Sequence, residues 1–365
     1  MRRGNPTSPD RYDAAVVQSG RPGPRGPAVS RSPAAVLATV AGCVGLAAAA
    51  PAAQAQGWEP TQPIVIVVPA GTGGGADQMA RLLQSLAAKH QLTKQPIQVV
   101  NKPGNSGAEG MLDVKQSTGD PHKLLISLSS VFTTPLATKV DFSWRDVTPV
   151  AMLALDQFVL WVNAGTPYQT AGELLTAVRE RPAEAFTLGG TGSKQEDQLI
   201  SVLVETAAAR RIRYVPLKGG GDVARALAVG EVDLTVNNPI EAEALWREGK
   251  LRPLCVFDGR RLEYTAKMAH GRSWSEIPTC MAQGIPAQYL MLRGLFTAPG
   301  VTPAQVGWYV KLLDRIAELP EWRDFMAQGA YRQTRLSGKA YVEWLEKAES
   351  FHRVLMRESK LSAGP

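Results

Sequence analysis

Apolar and polar positions follow two rhythms along this chain. Short runs rich in β-branched residues, IVIVVPA (64–70), IQVVN (97–101) and KLLISLSS (123–130), each predict a strand. Between them lie segments of helical period, 76–90 and a stretch near 107–117. In the first of these Met79, Leu82, Leu83 and Leu86 recur at i, i+3, i+4 and i+7, the spacing of one buried face, so they belong to a core. This βαβαβ order predicts a parallel sheet with helices on both faces. A second set begins near Pro149 with VAMLALDQFVLWVN. It continues with a helix after Thr170, FTLGG, a helix after Ser193, IRYVPL, a helix over 222–229 and EVDLTVNN. The repeated alternation predicts a second α/β lobe. Further strands are expected at 251–257 and 294–298. A helix should open at Thr302-Pro303 and run to about Glu318. A last helix from about Lys339 sets Tyr341, Trp344, Leu345 and Phe351 on one face, and both tail helices are expected to pack across the lobes.

The first 55 residues break this pattern. Residues 1–33 carry Arg2, Arg3, Arg11, Arg21, Arg25 and Arg31 among many Pro, Gly and Ser. An apolar stretch, AAVLATVAGCVGLAAAA (34–50), then leads to Ala53-Gln54-Ala55. That is the order of a secretory signal, and it predicts export to the periplasm with cleavage after Ala55. Two alternatives stay open: a lipid-attachment box at Val40-Ala41-Gly42-Cys43, and translation starting further down. Beyond residue 60 no apolar run reaches the roughly 18–20 residues of a membrane-spanning helix.

Composition narrows the classes further. With 44% hydrophobic and 20% charged residues in 365, disorder and collagen are excluded. The leader holds six Arg and two Asp, so its loss lowers the formal net charge from +7 to +3. A scattered +3 is no nucleic-acid footprint, which needs a clustered basic face; it supports at most a mild preference for anions. Cys43 lies in the leader, which leaves Cys255 and Cys280 for any bridge, and the fold is expected to rest on packing.

The sharpest local feature is the strand IVIVVPA running into Gly71-Thr72-Gly73-Gly74-Gly75-Ala76-Asp77 and an amphipathic helix. Glycines admit a ligand close to the backbone, and the free N–H groups of a helix N-terminus suit a carboxylate or phosphate. The loop therefore reads as an anion cradle of Gly73, Gly74 and Gly75, with Asp77 as cap or ligand contact. A glycine turn with a capping Asp and no ligand is the plain alternative. The dinucleotide fingerprint is also matched, yet its acidic residue at the end of the second strand is replaced by Asn101-Lys102. Three more loops follow strands: Ser129, Ser130, Thr133 and Thr134; Gly190-Thr191-Gly192-Ser193; and Lys218-Gly219-Gly220-Gly221. Ligands of doubly wound sheets bind beyond the carboxyl ends of the strands, where these four loops would converge. Lys218 could add a positive charge or remain solvated, and Asn237 and Asn238 could donate amides or shape a turn. Histidines 90, 122, 270 and 352 form no zinc spacing, and neither a nucleophile elbow nor a phosphate-binding Gly-x-x-x-x-Gly-Lys loop occurs. No catalytic residue, metal or cofactor is expected.

Taken together, IVIVVPAGTGGGADQMAR, VVNKPGNSGAEG, the WRDVTPVAML segment, GGTGSKQEDQL, YVPLKGGGDVARAL, GEVDLTVNNPIEA and GKLRPLCVF resemble the substrate-binding receptors of tripartite tricarboxylate transporters, including the Bug-type receptors. The resemblance runs from about Trp58 to the C-terminus. It implies an α/β, two-lobed periplasmic binding protein of Venus-flytrap, type II-like form, with a mixed, mostly parallel sheet in each lobe. The implied division is a leader over 1–55, lobe 1 over 56–157, lobe 2 over 158–278, and a return to lobe 1 with C-terminal helices over 279–365. It also implies a monomer that closes around a small organic carboxylate and delivers it to a membrane permease of a large and a small integral subunit, with no enzymatic activity. Ligand carboxylates would be held by Gly73, Gly74, Gly75 and Asp77, by Ser129, Ser130 and Thr133, and by Thr191, Gly192 and Ser193, the first and last of these loops gripping opposite ends of one anion. Many Bug-type members have histidine where this chain has Glu196, followed by Asp197; two acids there fit a dicarboxylate only if they cap the helix and point away. A secreted α/β enzyme acting on a carboxylated substrate and a ligand-sensing receptor are the alternatives.

Overall fold

The structure is a computed structural model that describes residues 57–363. The leader and its cleavage and lipid-attachment motifs lie outside the described residues. The chain begins with β1 (Ile64–Val68), α1 (Gly75–Lys89), β2 (Ile97–Asn101), α2 (Ala108–Lys115), β3 (Lys123–Ser127), α3 (Ser130–Ala137) and the long β4 (Thr148–Gln157). One residue later β5 (Val159–Asn163) opens a second series: α4 (Ala171–Glu180), β6 (Thr187–Thr191), α5 (Glu196–Ala208), β7 (Arg213–Leu217), α6 (Gly220–Ala228), β8 (Leu234–Thr235), α7 (Pro239–Arg247) and β9 (Leu251–Val256). A small hairpin, β10 (Lys267–Ala269) with β11 (Arg272–Ser273), precedes β12 (Leu290–Thr297). Then follow α8 (Pro303–Ala317), α9 (Pro320–Gln328), β13 (Leu336–Ser337) and α10 (Gly338–Glu358).

Two mixed sheets result. The first has the order β13-β4-β12-β3-β1-β2 and the second β7-β6-β8-β5-β9. In the first, β1 pairs in parallel with β2 and β3, whereas β12 runs antiparallel between β3 and β4. In the second, β6 is parallel to β7 and β8, and β5 is antiparallel to β8 and β9. Strands covered on both faces need apolar residues at every position rather than alternation. That is why IVIVV and MLALDQFVLWV read as unbroken runs, and why the second run is not one element. Its first part, β4, pairs with β12 in the first sheet, and its second part, β5, lies in the second sheet, the chain crossing at Phe158. A continuously buried run carries no turn residue to mark this change.

Two further differences from the pattern reading have local causes. Ser127 ends β3, and Thr133 and Thr134 sit inside α3 rather than in a loop. Pro320 at the first position of its helix starts α9, an element the pattern reading, which ended α8 at about Glu318, did not include. The start of α8 was legible: Thr302 accepts from the Gln305 backbone N–H in a capping box, and Pro303 follows it.

One core cluster of the first sheet gathers Tyr341, Trp344 and Leu345 of α10 against Phe132 and Phe296. Leu355 and Met356, further along the same helix, belong to the cluster that holds Leu160, Leu188 and Leu254 of the second sheet. The final helix thus contributes to both cores. Packing is supplemented by a disulfide between Cys255 at the end of β9 and Cys280, 25 positions on.

Candidate ligand site between the two sheets

The loops at the carboxyl ends of β1, β2 and β3 meet those of β6, β7 and β8 along one seam. Where the Gly71 and Lys218 loops touch, backbone lies on backbone. A Cβ on Gly71 would stand 2.7 Å from the Lys218 carbonyl oxygen, and one on Gly221 would stand 3.2 Å from the Gly73 carbonyl oxygen. Glycine is required at such an approach because a side chain would wedge it apart. Beside it, the Ser106 hydroxyl donates to the Ser193 carbonyl (3.2 Å), and the Gln195 amide donates to the Ser106 carbonyl (2.8 Å). The glycine loop after β1 therefore faces the Lys218–Gly221 loop, while the Gly192-Ser193 loop faces Ser106.

The helix N-terminus at Gly75 does hold a carboxylate, but it is the chain's own. Glu241 of α7 accepts from the Gly75 backbone N–H (3.0 Å), and its other oxygen accepts from the Asn237 amide (3.0 Å) and the Asn238 backbone N–H (3.2 Å). Gly220 packs so closely on this carboxylate that a Cβ there would collide with it. A second acid makes the same move. Glu196, in the first turn of α5, is 3% exposed and accepts from the Ser130 backbone N–H at the start of α3. The N-termini of α1 and α3 are thus met by carboxylates from the second sheet's helices, as the helix dipole favours.

Beneath them lies Arg293 of β12, fully buried, whose Nε and Nη2 donate to Asp156 of β4 at 2.9 and 2.5 Å. Burial opposes the guanidinium charge, yet Asp156 beside it holds Arg293 above its usual range. Burial likewise pushes the Asp156 carboxyl up, and Arg293 opposes that rise. The Glu196 carboxyl is driven up to about 7 by burial, with its backbone hydrogen bonds and Arg293 opposing. Asp197 is pushed well above the ordinary range by burial and by the Glu241 charge, although it accepts from the Thr191 backbone N–H (2.7 Å). A second buried pair, Arg332 with Asp258 at 2.6 Å, sits beside the crossing, where Gln157 also donates to Asp258.

The residues singled out from the sequence divide into three groups. Asp77 is saturated by the Gly73 backbone N–H, Arg81 and Asn101; burial works against its charge, but these partners outweigh it and hold its carboxyl below the usual range. Ser129 is likewise engaged, accepting from the Leu292 backbone N–H. Gly73, Gly74, Gly75, Thr191, Gly192 and Ser193 lie along the seam through their backbones, whereas the Lys218 side chain is exposed and contributes its carbonyl to the contact. The Ser130 and Thr133 hydroxyls and the Asn237 amide oxygen are buried and lack a hydrogen-bond partner among the described residues. Asp156 Oδ1 and Glu196 Oε1 are in the same position; Arg293 Nη1 and the Tyr331 hydroxyl also lack a partner of good geometry, although the Arg293 and Tyr331 side chains lie against each other. The pattern reading missed Arg293, Asp156 and Glu241. Their signal was present: one charged residue inside each of the apolar runs LMLRGLF and MLALDQF, of opposite sign, which must pair if both strands are buried. Among the described residues no cluster of three or more His, Cys, Asp or Glu could hold a metal ion, and no helix is long and apolar enough to cross a membrane.

Residues 79–349 match the family model described as tripartite tricarboxylate transporter family receptor. The chain belongs to this family. It is therefore a TctC-type solute receptor of a transporter, a binding protein rather than an enzyme. A UPF0065 protein in the gbd 5′ region of Cupriavidus necator is 24% identical over 327 residues, 89% of this chain and 96% of that protein. The periplasmic binding protein BugD has the same fold, with a TM-score of 0.75 at 19% identity over 83% of this chain and 99% of that one. Rpa4515 of R. palustris, solved with adipate, gives a TM-score of 0.75 at 21% identity, again over 83% and 99%. The mixed sheets of this TctC receptor thus follow a periplasmic-binding-protein architecture, as the resemblance implied, but neither is mostly parallel, because β12 and β13 enter the first sheet and β5 and β9 the second in antiparallel pairs.

Proposed function

We propose that this TctC receptor captures a small carboxylate-bearing solute in the seam between its two sheets and delivers it, as a periplasmic monomer, to a membrane permease of a large and a small integral subunit. The observation that carries this reading is the set of buried polar atoms there without partners, Ser130, Thr133, Asn237 and Arg293, between two facing sets of strand ends. Buried polar groups are otherwise almost always satisfied, so such a concentration marks a place where a solute or water completes the bonding. Arg293 Nη1 and the two hydroxyls supply donors for a carboxylate. The backbone of Gly73, Gly74 and Gly75 and of Thr191, Gly192 and Ser193 forms the closing edges. The family membership and the adipate held by Rpa4515 support the same class of solute. The chain crosses between the sheets at Phe158 and again between Phe257 and Leu290, which gives two connections about which the halves can part.

A thermal-shift screen over small organic acids tests the reading. A solute at 100 times its dissociation constant stabilises the native protein by about 2.7 kcal/mol, a readily measured rise in Tm. Replacing Arg293 should abolish that rise. No shift with any carboxylate would overturn the reading.

A further inference from the structure

We propose that the solute carries a cationic amino group next to its carboxylate, an α-amino acid, and that Glu196 is the residue that selects it. The inference rests on the carboxylate-receptor reading and narrows it.

The balance of donors and acceptors in the seam argues for this. Among the buried atoms of the seam without a partner, Asp156 Oδ1, Glu196 Oε1 and Asn237 Oδ1 are acceptors when the acids are ionised, whereas Arg293 Nη1 is a pure donor. The hydroxyls of Ser130 and Thr133 serve either way. A plain dicarboxylate brings acceptors at both ends and would leave the three oxygens facing more oxygens. A zwitterion satisfies both kinds of group at once.

Charge gives the same answer. One buried guanidinium, Arg293, stands among the carboxyls of Asp156, Glu196, Asp197 and Glu241; Asp156 and Glu196 each keep one bare oxygen, but only Asp156 of these two has a cation bonded to it. Asp156 is paired by Arg293, Asp197 accepts from Thr191, and Glu241 accepts from Gly75, Asn237 and Asn238. Glu196 has a backbone contact at Ser130, yet its Oε1 is bare although the residue is 3% exposed. Being bound to the start of α3, Glu196 lies against the turn that carries Ser130 and Thr133, so a solute whose carboxylate meets those hydroxyls has Glu196 beside it. The N-termini of α1 and α3, where a second carboxylate would be welcome, are already met by Glu241 and Glu196.

The test is calorimetry on the exported protein with the common α-amino acids, each measured beside its des-amino acid, for example glutamate against glutarate and aspartate against succinate. At least one amino acid should bind more tightly than its des-amino partner by about tenfold or more, the order of one charge-assisted hydrogen bond. Glu196→Gln, whose folding is checked by circular dichroism, should collapse that ratio toward one while retaining the weaker carboxylate binding. Glu196→Asp should keep part of the preference. Des-amino acids binding as well as or better than amino acids, or a preference unchanged in Glu196→Gln, would overturn the inference and leave the carboxylate reading standing. Failure of both compound classes to bind would overturn the two together.

Discussion

Arg293 and Asp156 offer the cleanest quantitative test of the interior. Both side chains are fully buried, and two guanidinium nitrogens donate to one carboxylate oxygen, at 2.9 and 2.5 Å, while Nη2 also reaches the Asn238 amide oxygen at 3.3 Å. Arg293→Met keeps the chain length and removes the cation. Asp156 is then left buried with the Gln157 backbone N–H as its remaining support. Breaking a buried pair from one side costs about 3–5 kcal/mol, because the surviving charge has no counterpart. Replacing both, Arg293→Met with Asp156→Leu, removes the stranded charge and should recover most of that loss. The loss in the single variant should also be smaller at pH 5 than at pH 8, since a stranded carboxyl escapes its charge by taking a proton. Equilibrium denaturation in urea, followed by circular dichroism at both pH values, gives the four stabilities of the cycle and their coupling. A single-variant loss below about 1 kcal/mol at pH 8, the range of an exposed pair, would refute the reasoning. So would a double variant whose loss equals the sum of the two single losses.

Other expectations follow from the same coordinates. Replacing Cys255 and Cys280 by Ala opens a crosslink between residues 25 apart and should cost about 3–4 kcal/mol on the chain-entropy estimate; a reductant should lower the wild-type Tm comparably, and an unchanged Tm in both experiments would count against the bridge. Gly71→Val places a branched side chain against the Lys218 carbonyl, so small-angle scattering should report a larger radius of gyration and calorimetry a weaker solute affinity; an unaltered scattering curve would dismiss the close approach. Burial lifts Glu196 to about 7 from its ordinary 4.5, so the native state holds a proton that the unfolded chain has released between those values. Its contribution is present in full below about pH 4.5 and is lost as pH rises through 7, hence the Tm advantage of wild type over Glu196→Gln should be greater at pH 5 than at pH 8. His352 acts in the opposite sense: buried, with Nδ1 donating to the Ala348 carbonyl and Nε2 meeting the Tyr289 hydroxyl, it is lowered to about 4, so its contribution is present above pH 6.5 and fades as pH falls toward 4.

Much of the architecture was readable because burial imposes period. The Met79–Leu83–Leu86 stripe of α1 and the apolar run of β1 could have few other fates, and the capping boxes at Thr170 and Thr302 mark their helix starts. The glycine loops were legible for the same reason that they meet: positions that bring two backbones together tolerate little else. Which loop meets which was not legible, because that depends on how two sheets are set against each other, and the contact of Gly71 with Lys218 joins residues far apart in the chain. Glu241 was hidden for a related cause. In NNPIEA it looks like the third residue of a capped helix, and it does serve that cap through the Asn238 N–H, but its other oxygen crosses to Gly75. Local pattern explains one oxygen of that carboxylate and says nothing of the other.

The reach of Glu241 to Gly75 bears on energetics as well as on geometry. An incoming acid that seeks the amide of Gly75 finds it engaged, so entry at that point is an exchange: one carboxylate leaves as another arrives. The net gain is the difference between two similar partnerships, and tight retention must come from whatever the newcomer offers that glutamate does not.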